Sequence, residues 1–207
     1  MKHLKTLGLA AVAAAALMAF IGASSASATV LCQTTPNAEG KCPTGWAYTG
    51  ELHAITTEKP KLTTTFKTVE CDESTVMGFP EGEGGASSSL RIPLSALTFT
   101  GHCNCTVIPT TAGNLEINVN GDSGNGTLAS NNATVTVSCS TIFGTVHCDY
   151  VTNEHDLGTL VGGVSATISI TVKIEEENTS ALCDSEATWH ANYRFTTPSG
   201  LWVATST

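Results

Sequence analysis

Apolar and polar residues alternate along much of this chain with the two-residue period of extended strands. Leu115, Ile117 and Val119 fall on one face of such a strand, with Glu116, Asn118 and Asn120 on the other. The same language recurs in Val135, Val137 and Cys139, in Ile168, Ile170, Val172 and Ile174, and in Trp189, Ala191, Tyr193 and Phe195. Each buried side chain of this kind contributes about 1.5–3 kcal/mol before entropy is counted, so the last three of these stripes need a common core. Further strands are predicted over 51–57, 62–71 and 90–100. A proline-bearing polar break, Glu58-Lys59-Pro60-Lys61, separates the first two, and Pro93 in the third points to an edge position or a bulge. Residues 106–108 read as a short strand ended by a turn at Pro109, and 120–126 as a dense turn. A hairpin turn is expected at Ile142-Phe143-Gly144. No helical periodicity is present beyond residue 28. The expected fold is all-β: an antiparallel β-sandwich, loosely immunoglobulin-like, stapled by disulfides.

The first 28 residues have a different pattern. A basic start with Lys2 and Lys5, an apolar run over 7–21 and the small-residue exit Ala26-Ser27-Ala28 are the three parts of a secretory signal peptide. The apolar run is shorter than the roughly 20 residues that span a bilayer. Cleavage is expected after Ala28, leaving residues 29–207 as a single β domain without a transmembrane segment, secreted or associated with the cell envelope. Seven basic residues then face all eighteen acids, a formal charge of −11. This acidic balance excludes nucleic acid and anionic membrane as partners and leaves an unidentified extracellular or envelope partner. The Glu81-Gly82-Glu83-Gly84-Gly85 loop is the most plausible internal breakpoint.

All eight cysteines lie beyond the signal: Cys32, Cys42, Cys71, Cys103, Cys105, Cys139, Cys148 and Cys183. An even count in an exported chain reads as four disulfides, with 105 pairings open. Cys103 and Cys105 stand one residue apart. Two residues of extended chain span about 6.6 Å, at the upper edge of what a disulfide tolerates, so each is expected to bond elsewhere. Strand alternation would point both sulfurs to one side, toward one overlying layer. Cys32 and Cys42 flank a loop with Pro36 and Gly40, and Cys139 and Cys148 flank the expected hairpin turn, so both pairs are expected to close locally. Cys71 and Cys183 remain as partners for Cys103 and Cys105, joining early, middle and late strands, with the choice between them open.

A faint repeat links Gly126-Thr127-Leu128 to Gly158-Thr159-Leu160, each followed by an alternating strand. Several segments resemble a functionally uncharacterised paralogous family of exported, cysteine-rich β-proteins of soil actinobacteria. They are Lys5-Thr6-Leu7-Gly8-Leu9-Ala10-Ala11, the join Ala26-Ser27-Ala28-Thr29-Val30-Leu31-Cys32 and Leu97-Thr98-Phe99-Thr100-Gly101. Gly158-Thr159-Leu160, Ala187-Thr188-Trp189 and Leu201-Trp202-Val203 complete the set. The likeness runs the length of the chain and implies export and a β-fold, with no activity attached.

Candidate chemistry is sparse. His102, Cys103 and Cys105, with His147 and Cys148, have ligand types that zinc accepts, but the one-residue spacing and an oxidising compartment favour disulfides. Asn118, Asn120 and Asp122 fail the calcium-loop pattern, which needs a glycine at the sixth position and a glutamate at the twelfth, where Ser123 and Ala129 stand. Glu175-Glu176-Glu177 reads as solvated charge at a strand end. His155-Asp156 and His147-Cys148-Asp149 sit beside no nucleophile turn. Trp46, Trp189 and Trp202 are candidates for a sugar-binding platform, with Trp189 assigned to the core. No catalytic, cofactor or metal residue is assigned. The expected function is a non-catalytic structural or binding module, with a carrier of a small apolar ligand in a cleft of the sandwich, or a secreted hydrolase, as alternatives. A deep apolar pocket is the feature that singles out the carrier.

Overall fold

The structure is a computed structural model and describes residues 28–82, 89–121, 124–142, 144–153, 156–177 and 182–207. The N-terminal segment over 1–27, the glycine-rich part of the 81–85 loop, Asp122, Phe143 and His155 lie outside them. Every regular element among the described residues is a strand. Thr29–Cys32 (β1) and Leu52–Thr56 (β2) open the chain, followed by Lys61–Thr63 (β3), Thr68–Glu70 (β4) and Glu73–Gly78 (β5). Ser89–Thr100 (β6), Thr106–Thr111 (β7), Asn114–Val119 (β8), Gly126–Asn131 (β9) and Thr134–Thr141 (β10) form the middle. Gly144–Val151 (β11), Asp156–Val161 (β12), Thr167–Glu176 (β13), Glu186–Thr197 (β14) and Trp202–Thr205 (β15) complete the chain.

Eight of these strands close into an antiparallel barrel in the order β14-β2-β5-β6-β8-β9-β12-β13, sealed where β13 pairs with β14. The expected sandwich is therefore corrected to a barrel. The alternating faces behave as predicted: Ile168, Ala191, Tyr193 and Phe195 are buried in one core with Leu128 and Leu160. The two Gly-Thr-Leu segments are neighbours, with Gly158 opposite Leu128 and Leu160 opposite Gly126. A two-stranded ribbon of β1 and β15 packs Leu31 and Val203 into this core, and Val203 N–H donates to Gly124 O at the turn between β8 and β9. The ribbon closes that end of the barrel.

The β13–β14 pairing runs for nine residue pairs, from Thr167↔Arg194 to Glu175↔Glu186, and outlasts the barrel. Its first half is flanked by β12 and β2, its second half by β11 and β3. The second half seeds an upper tier in the order β4-β3-β14-β13-β11-β10-β7. This tier has its own core of Leu62, Val69, Cys105, Val137, Tyr150, Ile174 and Ala187.

The double-cysteine segment closes the gap between the two ends of this order. Asn104 N–H donates to Glu70 O (3.1 Å), Glu70 N–H donates to Asn104 Oδ1 (3.0 Å), and Asn104 Nδ2 donates to Thr68 O (2.9 Å). One residue thus serves as the missing neighbour of β4, directly before the chain enters β7. The turn into the segment is made at Gly101, whose φ of 75° suits glycine and where a Cβ would lie 2.7 Å from that of Asp72. Asp72 Oδ2 accepts the His102 N–H at 2.7 Å, and Lys59 Nζ donates to Oδ1 at 2.8 Å. The hydrogen bond from Lys59 and then that from His102 hold the Asp72 carboxyl below its ordinary pKa.

The four disulfides are Cys32–Cys42, Cys71–Cys103, Cys105–Cys139 and Cys148–Cys183. The first is the expected local pair, and Cys71 is one of the expected partners of the double-cysteine segment. The expected Cys139–Cys148 bridge, and with it a Cys183 bond to Cys103 or Cys105, is corrected. In the β10–β11 ladder Cys139 faces Val146 and Cys148 faces Val137, so the two cysteines are two residues out of step. Such diagonal neighbours lie about 7–8 Å apart, beyond disulfide reach. Cys105 instead follows the Ser138↔Thr106 pair and lands beside Cys139, Cα to Cα 4.7 Å. Residues 101–105 contain bends and no strand, so the two sulfurs diverge, one to Cys71 just after β4 and the other to Cys139 in β10, instead of meeting one overlying layer.

Two strand boundaries also differ from expectation. Residues 62–71 form a hairpin, folded by a turn in which Thr64 Oγ1 donates to Lys67 O and accepts the Lys67 N–H. Pro109 sits inside β7, opposite Val135, so the turn comes after Thr111. In β6 the expected bulge is present: Ala96 faces Met77 and Leu94 faces Gly78. The extra residue shifts the parity, so that Leu90, Ile92 and Leu94 point inward before it and Leu97 and Phe99 after it.

Candidate functional site

Inward-facing side chains of both tiers line one apolar cavity of about 100 Å³. The barrel supplies Ala54, Val76, Leu94, Leu115, Leu128 and Ile168; the upper tier supplies Leu62, Val69, Val107, Val135, Val137 and Ile174. Trp189 stands where the tiers meet. It packs on both cores, and its ring meets Phe99 edge-on at 5.5 Å between centroids.

Two pairs of polar groups in and beside the lumen satisfy each other. Tyr193 OH and Ser74 Oγ are 3.0 Å apart, as are Ser130 Oγ and Thr152 Oγ1. Burial pushes the Tyr193 phenol up to about 12, only partly offset by Ser74. Tyr150, 2% exposed, is also pushed up to about 12, first by burial and then by the charges of Asp184 and Glu176. Both phenols are therefore neutral across the physiological range.

A second cavity, also of about 100 Å³, opens at the end opposite the β1–β15 ribbon. It lies among the 64–67 turn, the tip of the β10–β11 hairpin and residues 182–184, where Phe66 and Leu182 stand exposed. Leu62, Val69, Val137 and Tyr150 line both cavities, so one layer of side chains separates them.

Both catalytic readings of the sequence meet specific geometry. His147 Nδ1 lies 2.7 Å from Ser138 Oγ on the opposite strand, and the neighbouring Cys148 is consumed in a disulfide. Asp156 lies in β12, while its companion His155 falls outside the described residues. The structure adds a constellation with no sequence signal: Thr171 Oγ1 lies 2.8 Å from His190 Nδ1, and His190 Nε2 lies 3.1 Å from Glu58 Oε1. Its members come from sites up to 132 residues apart, and only the strand register unites them. This triad is exposed on the outer face of β13 and β14, and none of its residues lines either cavity. Acyl transfer also needs a bound substrate and donors for an oxyanion, so the arrangement reads as cross-strand pairing.

The zinc reading of His102, Cys103 and Cys105 is displaced by disulfide bonding of both sulfurs. Among the described residues, no group of three or more His, Cys, Asp or Glu side chains is placed to hold a metal. The three tryptophans do not form a platform. Trp189 is internal, Trp46 is half-exposed in its loop, and Trp202 packs beside the Cys32–Cys42 arm.

These features define a closed, disulfide-stapled β-barrel with an apolar lumen. No family model, curated protein or solved structure matches the chain. No helix among the described residues is long and apolar enough to cross a membrane, and four disulfides fit an oxidising compartment.

Proposed function

We propose that this protein is an exported, non-catalytic binding module that carries a small apolar molecule inside its barrel. The observation that carries this reading is the lumen itself, an apolar cavity running through both tiers in a molecule otherwise closed by a ribbon and four disulfides. Barrels of about eight strands have interiors that side chains just fill or that hold one small ligand. An apolar cavity of about 150 Å³ stays dry and takes benzene, so a lumen of about 100 Å³ suits an apolar group of benzene size or smaller. The signal-like N-terminus and the resemblance to exported actinobacterial proteins supply the export part of the proposal.

The test is calorimetric titration of the oxidised protein with benzene. Binding with a negative heat-capacity change is expected, because apolar surface leaves water. Val135→Phe and Val76→Phe each place a ring in the lumen, one per tier, and both should weaken binding at least tenfold while the protein stays folded. An absence of binding, or binding indifferent to both variants, would contradict the proposal.

A further inference from the structure

The groove at the open end deepens the preceding reading and rests on it. Its four residues shared with the lumen make the two cavities consecutive compartments, separated by Leu62, Val69, Val137 and Tyr150. The lumen is almost wholly apolar, whereas the groove adds Thr64, Lys67, Thr141 and Asp184 to an apolar rim that includes Phe66 and Leu182. A molecule occupying both compartments would have an apolar chain and one polar end.

The charge at that end follows from which groups in the groove are already engaged. Asp184 is opposed to an anion in principle, but its carboxylate accepts the Thr65 N–H through Oδ2 and the Thr65 hydroxyl at 2.7 Å through Oδ1. Glu176, which also raises the Tyr150 pKa, is not among the groove-lining residues. Lys67 is different. Lys41, Lys59, Lys61, Lys173 and Arg91 each have a carboxylate within 4 Å, whereas among the described residues Lys67 and Arg194 have none, and of these two Lys67 alone lines the groove. In a chain with this excess of acid, an ammonium group left unpaired beside the mouth of an apolar lumen is a vacant anion contact.

We propose that the ligand is a single-chain amphiphile with an anionic head, its chain passing Tyr150 into the lumen and its head pairing with Lys67 in the groove.

The experiment compares decanoate, decanol and decylammonium, all below their aggregation thresholds, on the oxidised wild-type protein and on Lys67→Glu. A charge-assisted contact should make decanoate bind roughly tenfold more tightly than decanol. Lys67→Glu should remove that advantage, weakening decanoate about tenfold more than it weakens decanol. Because Lys67 is exposed, the variant should fold, and Lys67→Arg should retain the preference. If decanol binds but decanoate binds no better, or decylammonium binds best, the head-group proposal is overturned while the lumen reading stands. If none of the three binds while benzene does, this proposal fails and the lumen reading stands; if benzene fails as well, both fall.

Discussion

Removing the two disulfides of the central staple, as Cys71→Ala, Cys103→Ala, Cys105→Ala and Cys139→Ala together, should lower the melting temperature by about 10–20 °C. The two bridges close loops of 32 and 34 residues, each worth about 3.7 kcal/mol on the chain-entropy view. The loops adjoin within one segment, so their contributions should add incompletely, to about 4–7 kcal/mol. Domains of this kind have a total stability of about 5–15 kcal/mol, so the loss is a large share. The damage should be local first. Without the staple, only the three Asn104 hydrogen bonds join β4 to the 101–105 segment, and hydrogen exchange at Asn104 and Glu70 should accelerate before that of the lower barrel. Cys32→Ala with Cys42→Ala is the control. It closes only 10 residues, should cost about 2.7 kcal/mol, and should leave Asn104 protected. A quadruple variant no less stable than this control would mean that the segment does not close the upper tier.

Trp189→Ala should cost about 3–5 kcal/mol, the usual range for deleting a large aromatic side chain from a core. Trp189 is partly buried, packs against both core clusters and meets Phe99, so its loss joins two packed regions through a void rather than emptying one pocket. Strands β13 and β14 run through both tiers and cannot collapse inward without breaking their nine-pair ladder, which limits relaxation. Denaturant unfolding gives the magnitude. The same substitution should enlarge the lumen, so that decanol affinity falls less than stability does. A loss below about 1 kcal/mol would place the ring at a solvent-facing position instead.

How much of this was legible in the chain varied with the length scale. Faces of single strands were plain: Ile168 to Ile174 and Trp189 to Phe195 alternate strictly and line the interior. Alternation says which face is buried, though, and is silent on whether buried faces meet across two sheets or around a ring. Closure here depends on β13 and β14 outlasting their neighbours, a fact of register between segments. The 62–71 hairpin was hidden because its strands are three residues each, and its turn relies on one threonine hydroxyl rather than glycine or proline. The bulge in β6 was foreshadowed by Pro93. Cysteine pairing failed where sequence proximity competed with ladder register, since Cys139 and Cys148 are close along the chain yet two residues out of step across it. The lumen had no local signature, because its lining is drawn from strands throughout the chain and looks like ordinary core in each of them.

The double-cysteine segment gains a definite role from this geometry: it substitutes for a strand where the upper tier would otherwise stand open. Its chemistry is structural, and the space it encloses gives the functional reading. That reading rests on one apolar lumen shared by both tiers. The most direct test is methyl NMR of the oxidised protein with benzene added. The account predicts contacts from benzene to Leu128 and Ile168 in the barrel and to Val137 and Ile174 in the upper tier, saturating together at a single site. Contacts confined to exposed residues such as Val161 and Val164, or to one side of Trp189 alone, would contradict it.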